Sequence, residues 1–202
     1  MNSSPLRYPG GKAKIASFVK MLIENTGNSH PVYMEPFAGG AGVAIELLLQ
    51  DEVDEIVIND YDKAIYSFWR AVTKESDKLL DLIERTPVNI EVWRQQKEIY
   101  MNQNSRYSLE LAFATFFLNR TNRSGILKAG PIGGVEQNGN YLIDARYNKT
   151  ALIERIEKIV SKKKRIRVTN KEANSFIENI IPDYENGFVY FDPPYFHKGP
   201  EL

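Results

Sequence analysis

Pro31-Val32-Tyr33-Met34-Glu35-Pro36-Phe37-Ala38-Gly39-Gly40-Ala41-Gly42 is the stretch that decides the fold of this 202-residue chain. A short apolar, β-prone run ends on a carboxylate, a glycine-rich turn follows, and a helical pattern continues through Leu49. Asp54 to Asn59, with Ile56, Val57 and Ile58, then reads as a second strand ending on Asn59-Asp60-Tyr61-Asp62. Strand, glycine turn, helix, strand is a βαβ unit, and such units build parallel sheets. The fold class that follows is α/β.

Outward from this unit the period changes. Helical spacing recurs over 64–72, 78–84, 90–101 and 109–120, and no strand pattern interrupts it. A glycine-rich stretch from Gly125 to Tyr141 reads as a hairpin or loop. Helical spacing returns at 151–160, a strand at 165–169 and a helix at 173–180. Before the first strand, a turn at Arg7-Tyr8-Pro9-Gly10-Gly11-Lys12 leads into an amphipathic helix. The simplest organisation is an α/β domain made of residues 1–62 and 150–202, interrupted by a mainly helical insertion over 63–149.

Composition closes several routes. There is no cysteine, which removes disulfides, zinc-thiolate sites and the thiolate nucleophile that cytosine carbon methylation requires. His30 and His197 are the two histidines, so a histidine-rich metal site is not expected. Formal net charge is zero, so any nucleic-acid surface must come from local clustering. No signal-peptide core and no membrane-length apolar run is visible, and the expectation is a soluble, cytoplasmic protein without membrane or metal partners.

Two places carry chemistry. At the first, glycines between a strand and a helix let the backbone approach a ligand. Asp60, about 18 residues after Gly42 where such motifs have about 20, can accept two ribose hydroxyls. Either a dinucleotide or S-adenosylmethionine fits, but Glu35 just before the turn suits an ammonium-bearing ligand better than a pyrophosphate. At the second, Phe188-Val189-Tyr190-Phe191 reads as a short buried strand that ends on Asp192-Pro193-Pro194-Tyr195. That ending offers a carboxylate, a carbonyl left free by proline and a flat ring, which together suit an exocyclic amino group on a planar base. The plainer alternative is a strand followed by a Pro-Pro turn with a surface tyrosine.

Taken in order, these segments resemble the Dam-type DNA adenine-N6 methyltransferases. The matching segments are Arg7-Tyr8-Pro9-Gly10-Gly11-Lys12, the Glu35–Gly42 loop, Asn59-Asp60-Tyr61-Asp62 and Asp192-Pro193-Pro194-Tyr195, and the likeness runs from Leu6 to Phe196. The resemblance implies a Rossmann-like sheet that binds S-adenosylmethionine, with the helical insertion as target-recognition domain. It implies cofactor contacts from Tyr8, Lys12, Glu35, Phe37, Gly39, Gly42, Asp60 and Asp192. Asp192, Pro193 and Tyr195 become the catalytic residues, acting on an adenine swung out of double-stranded DNA. Asn119-Arg120-Thr121-Asn122-Arg123-Ser124-Gly125 resembles part of the recognition region, so Arg120, Asn122, Arg123 and Lys128 are the expected DNA contacts, with Arg146 and Lys149 just beyond.

Some residues carry blander expectations. Leu109, Ala112, Phe113, Phe116 and Phe117, with Trp69 and Trp93, read as packing residues. Lys162-Lys163-Lys164-Arg165 reads as an edge-guarding run, and Glu172 as an exposed helix-start carboxylate. Because members of the resembled family continue for further strands beyond the tetrad, the expectation is that C-terminal strands are missing here and that, with nothing replacing them, the last strand would be an apolar sheet edge open to self-association. Two rival readings stay open: a non-catalytic DNA-binding remnant and a Rossmann-type oxidoreductase.

Overall fold

The structure, a computed structural model, describes residues 3–7, 15–29 and 31–193. Its centre is a parallel sheet of β1 (Val32–Glu35), β2 (Glu55–Asn59), β3 (Ile166–Thr169) and β4 (Gly187–Val189) in the order β3-β2-β1-β4. The chain steps from β1 to β2 to β3 in one direction, then returns past both to place β4 on the far side of β1. Right-handed crossovers must therefore change face at that reversal.

They do. On one face lie α1 (Ala16–Asn25), α2 (Gly42–Leu49) and α3 (Lys63–Lys74), whose buried side chains share a core with Tyr33, Ile56 and Ile58. On the other face α8 (Ala173–Asn179) sets Phe176 against Met34 and Val57. Alternate residues of β2 thus serve opposite layers, as strand geometry demands, and both faces of the central strands are apolar. The reversal also creates a switch point between the C-terminal ends of β1 and β4, where open α/β sheets hold their ligands.

Between β2 and β3 the chain forms α3, α4 (Ser76–Arg85), α5 (Ile90–Met101), α6 (Leu109–Thr121) and α7 (Lys149–Val160). Asp62, Asn89, Ser108 and Asn148 each accept a backbone N–H in the first turn of the helix they precede, which sets those starts. α6 is buried from Leu111 to Thr121, with Phe116 stacked on Phe68 of α3 at 5.8 Å. Phe113, Phe116, Phe117 and Trp69 are core residues as expected, and their cluster is continuous with the sheet's.

One expectation needs correction. The last strand is shorter than the apolar run: β4 stops at Val189, its residues are half-buried, and Phe191 is exposed. Only β1 pairs with it, so it forms a sheet edge among the described residues. Of the two readings of the glycine-rich stretch, hairpin or loop, the loop is the one observed. A single antiparallel bridge joins Asn122 to Pro131, and the rest is turns, with Gly133 and Gly134 at φ values of 82° and 75° that deny it a ladder.

Candidate active site

The C-terminal ends of the strands converge on one crevice. β1 ends at Glu35, which is buried and accepts hydrogen bonds from the Tyr33 hydroxyl at 3.0 Å and the Ala44 N–H at 3.1 Å. Ala44 lies in the first turn of α2, whose start at Ala41 has no side-chain cap of its own. The Glu35 carboxylate therefore takes up the helix N-terminus that a pyrophosphate would need, and a phosphate there would meet a like charge. A dinucleotide is disfavoured on this ground.

The turn itself is tight. Gly39 has φ +48° and Ala41 φ +45°, a left-handed pair with Ala41 N–H donating to Ala38 O at 2.6 Å. Three groups hold it from below. Trp69 Nε1 donates to Gly39 O at 2.9 Å, Ala38 N–H donates to Asn59 O at 2.9 Å, and Gly39 N–H donates to Asp60 Oδ2 at 2.8 Å. Ser4 Oγ donates to Gly40 O from above.

Asp60 follows directly on β2 and also accepts the Asp62 N–H at 2.9 Å. As a residue it is half-buried, yet its carboxyl sits among protein atoms, and burial pushes its pKa up to about 6 against the pull of the two backbone N–H bonds. A carboxylate so placed gains from any hydroxyl that donates to it. Asn59, wholly buried beside it, is the residue that sequence reasoning passed over. Its amide donates to Pro36 O at 2.9 Å and Lys171 O at 3.0 Å, and its carbonyl accepts from Thr169 Oγ1 and Lys171 N–H, both at 2.8 Å. One side chain thus ties together the ends of β1, β2 and β3. A buried polar residue closing an apolar strand was the available signal.

Across the switch point, Tyr190 N–H donates to Met34 O at 2.9 Å and carries the chain to Phe191, Asp192 and Pro193. Tyr33 connects the two sides. Its ring stacks on Phe188 at 6.1 Å, and its hydroxyl is held far above the usual phenol range by burial first, then by the charges of Glu35 and Asp192. Glu35 accepts this buried hydroxyl directly, and the charge of Asp192 acts on it more weakly.

Of the expected site residues, Glu35, Phe37, Gly39, Gly42, Asp60, Asp192 and Pro193 are brought to these strand ends. Tyr8, Lys12 and Tyr195 lie outside the described residues. The expected DNA contacts divide. Arg123 and Lys128 are exposed, but Arg120 is buried and Asn122 is wholly buried. Asn122 donates its amide to Ile126 O and Leu127 O at 2.9 Å each and accepts Trp93 Nε1 at 2.7 Å, so it shapes the loop from inside. Glu172 is an exposed helix-start residue, as expected. Lys162 and Arg165 pair with Asp51 near the β3 edge, clamping a turn beside the sheet.

A family model for D12 class N6 adenine-specific DNA methyltransferases matches residues 8–199, and the chain belongs to that family. It is 25% identical over 206 residues to the type II methyltransferase M.MjaIII of Methanocaldococcus jannaschii, covering 94% of this chain and 68% of that protein. It is 24% identical over 203 residues to the type II methyltransferase M1.LlaDCHI of Lactococcus lactis subsp. cremoris, covering 94% of this chain and 64% of that protein. The chain thus spans about two thirds of the length of these curated relatives. Among the described residues no helix is long and apolar enough to cross a membrane, and no cluster of three or more His, Asp or Glu is placed to hold a metal.

Proposed function

We propose that this chain binds S-adenosylmethionine over the Glu35–Gly42 turn and methylates adenine N6 in duplex DNA at a site centred on Asp192. The observation that carries the reading is the arrangement around the β1–β4 switch point. Glu35 blocks the phosphate position on one side, and Asp192, just past β4 on the other, acts by its charge on the same Tyr33 hydroxyl that Glu35 accepts.

The residues fit the cofactor. Asp60 would accept ribose hydroxyls, Glu35 and the turn backbone would face the methionine end, and Phe37, Gly39 and Gly42 would border the nucleoside. When bound, S-adenosylmethionine supplies a methyl group on a sulfonium. The protein's part is to make adenine N6 a nucleophile. Its lone pair is delocalised into the ring, whereas its two protons are good donors. The Asp192 carboxylate and the Pro193 carbonyl accept one proton each in hydrogen bonds, which returns electron density to nitrogen and aims its lone pair. Asp192 also opposes the positive charge that develops on nitrogen, in a site where fixed charges act strongly. Tyr195 would stack on the extruded base. The helices over 63–149 would form the recognition insertion, with exposed Arg123 and Lys128 gripping phosphates.

The test is transfer of labelled methyl from S-adenosylmethionine to random-sequence duplex DNA, followed by mapping of the modified base. Labelled N6-methyladenine at a defined site is the expected result. Binding of duplex without any transfer would leave a DNA-binding remnant instead and overturn the reading.

A further inference from the structure

The ladder between β2 and β3 ends with Asn59 opposite Thr169, and one more backbone bond follows, from Asp60 N–H to Thr169 O at 3.2 Å. Beyond that point a side chain takes over. The Asn170 amide donates to Asp60 O at 2.7 Å and to Tyr61 O at 3.0 Å. A carboxamide has two N–H donors, and Asn170 spends both on this corner. Holding two successive carbonyls sets the two planar peptide units that follow Asp60.

That corner aims a carboxylate. Asp60 Oδ1 accepts the Asp62 N–H at 2.9 Å, within the backbone that Asn170 holds, and Oδ2 reaches the Gly39 N–H at 2.8 Å. The same turn starts α3, where Asp62 Oδ1 accepts the Ala64 N–H at 2.8 Å. Asn170 is itself held from the connection between α5 and α6. Arg106 Nη2 donates to Asn170 O at 3.0 Å while its guanidinium lies 5.5 Å from the centre of the Tyr66 ring on α3. The next residue continues the strap along α3: the Tyr107 hydroxyl donates to Glu75, and Arg70 lies 4.5 Å over the Tyr107 ring. A continuous run of contacts therefore leads from the α5–α6 connection through Asn170 to the Asp60 carboxylate.

We propose that Asn170 is a positioning residue, which sets the Asp60 carboxylate for the ribose of S-adenosylmethionine, and that Arg106 ties this corner to the helices between β2 and β3. The ribose part rests on the methyltransferase reading. Asn170 acts through Asp60 and the backbone, not on the reacting atoms. Its effect therefore belongs in cofactor affinity more than in the rate of the chemical step.

The experiment uses the full chain and three variants: Asn170→Ala, Asn170→Asp and Arg106→Gln. Amide hydrogen exchange followed by NMR reads the corner without any cofactor. In Asn170→Ala the Gly39 and Asp62 amides, both held by the Asp60 carboxylate, should exchange faster, while amides of α6 keep their rates. Calorimetry should show S-adenosylmethionine binding about tenfold more weakly, the scale of a lost pair of neutral hydrogen bonds. Asn170→Asp keeps the size but offers no donor when ionised, so it should lose affinity as well. Arg106→Gln should move the same two amides in the same direction, by less.

Unchanged exchange at Gly39 and Asp62 in both Asn170 variants would overturn the proposal. So would exchange that quickens equally throughout the protein, which is the mark of a merely structural residue. Faster exchange at the corner with unaltered cofactor affinity would overturn the ribose part, and unmoved amides in Arg106→Gln would overturn the tie to the helices. If the unmodified protein binds no S-adenosylmethionine, the cofactor reading fails and the ribose part with it. The exchange rates then still decide whether Asn170 holds Asp60.

Discussion

The Asp60 carboxylate accepts the backbone N–H of Gly39 at 2.8 Å, which locks the turn after β1 to the end of β2. The residue offered for ribose binding is therefore also a strut of the glycine turn. Its two oxygens each take one N–H, leaving further lone pairs for ligand hydroxyls.

That double duty gives a pH dependence. Burial lifts the Asp60 carboxyl to about 6 from 3.8, so between those values the folded protein holds a proton that the unfolded chain has released. The associated stability is fully present below the unfolded value and is lost as pH rises through about 6. Ligand hydroxyls favour the ionised form, so S-adenosylmethionine affinity should increase as pH rises through the same value. Calorimetric titration across this range should show the rise, and Asp60→Asn should flatten it.

Asp192→Ala should reduce methyl transfer by roughly 100-fold or more, the scale for removing one preorganised electrostatic partner. Affinity for duplex should be retained. Initial rates with labelled cofactor, beside a filter-binding isotherm, separate the two effects.

Asn59→Ala should destabilise the fold by about 3 kcal/mol, because buried donors and acceptors lose their partners together. Urea denaturation followed by circular dichroism measures this. The midpoint should fall with little change in slope, since the exposed surface is the same.

Arg123→Gln and Lys128→Gln should each weaken binding to all duplex sequences alike, lowering the salt slope by about 0.9 per contact. Asn122→Ala should act differently. It leaves the Trp93 indole and two carbonyls of the loop unpaired, so its first effect is a lower melting temperature.

Much of the fold was legible in residue order. Ile56, Val57 and Ile58 flanked by turn residues could be little but a strand buried on both faces, and the spacing of Phe113, Phe116 and Phe117 described a core helix. Arg120 and Asn122 were not legible in the same way. In sequence they look like neighbours of Arg123 on one basic loop, yet Arg120 lies in the last turn of α6 and Asn122 ends it, both buried, whereas Arg123 just beyond is exposed.

By itself the sequence determined the succession of strands and helices, the carboxylates that end the strands and the family to which they belong. Those features depend on local periodicity and on residues adjacent in the chain. Only the tertiary structure decided that Glu35 caps α2, that Asn59 binds three strand ends, and that Arg120 is buried. Burial of a single polar side chain depends on which distant segments close over it. Arg7 meets Asn119 across 112 residues of chain, and no local pattern encodes that contact.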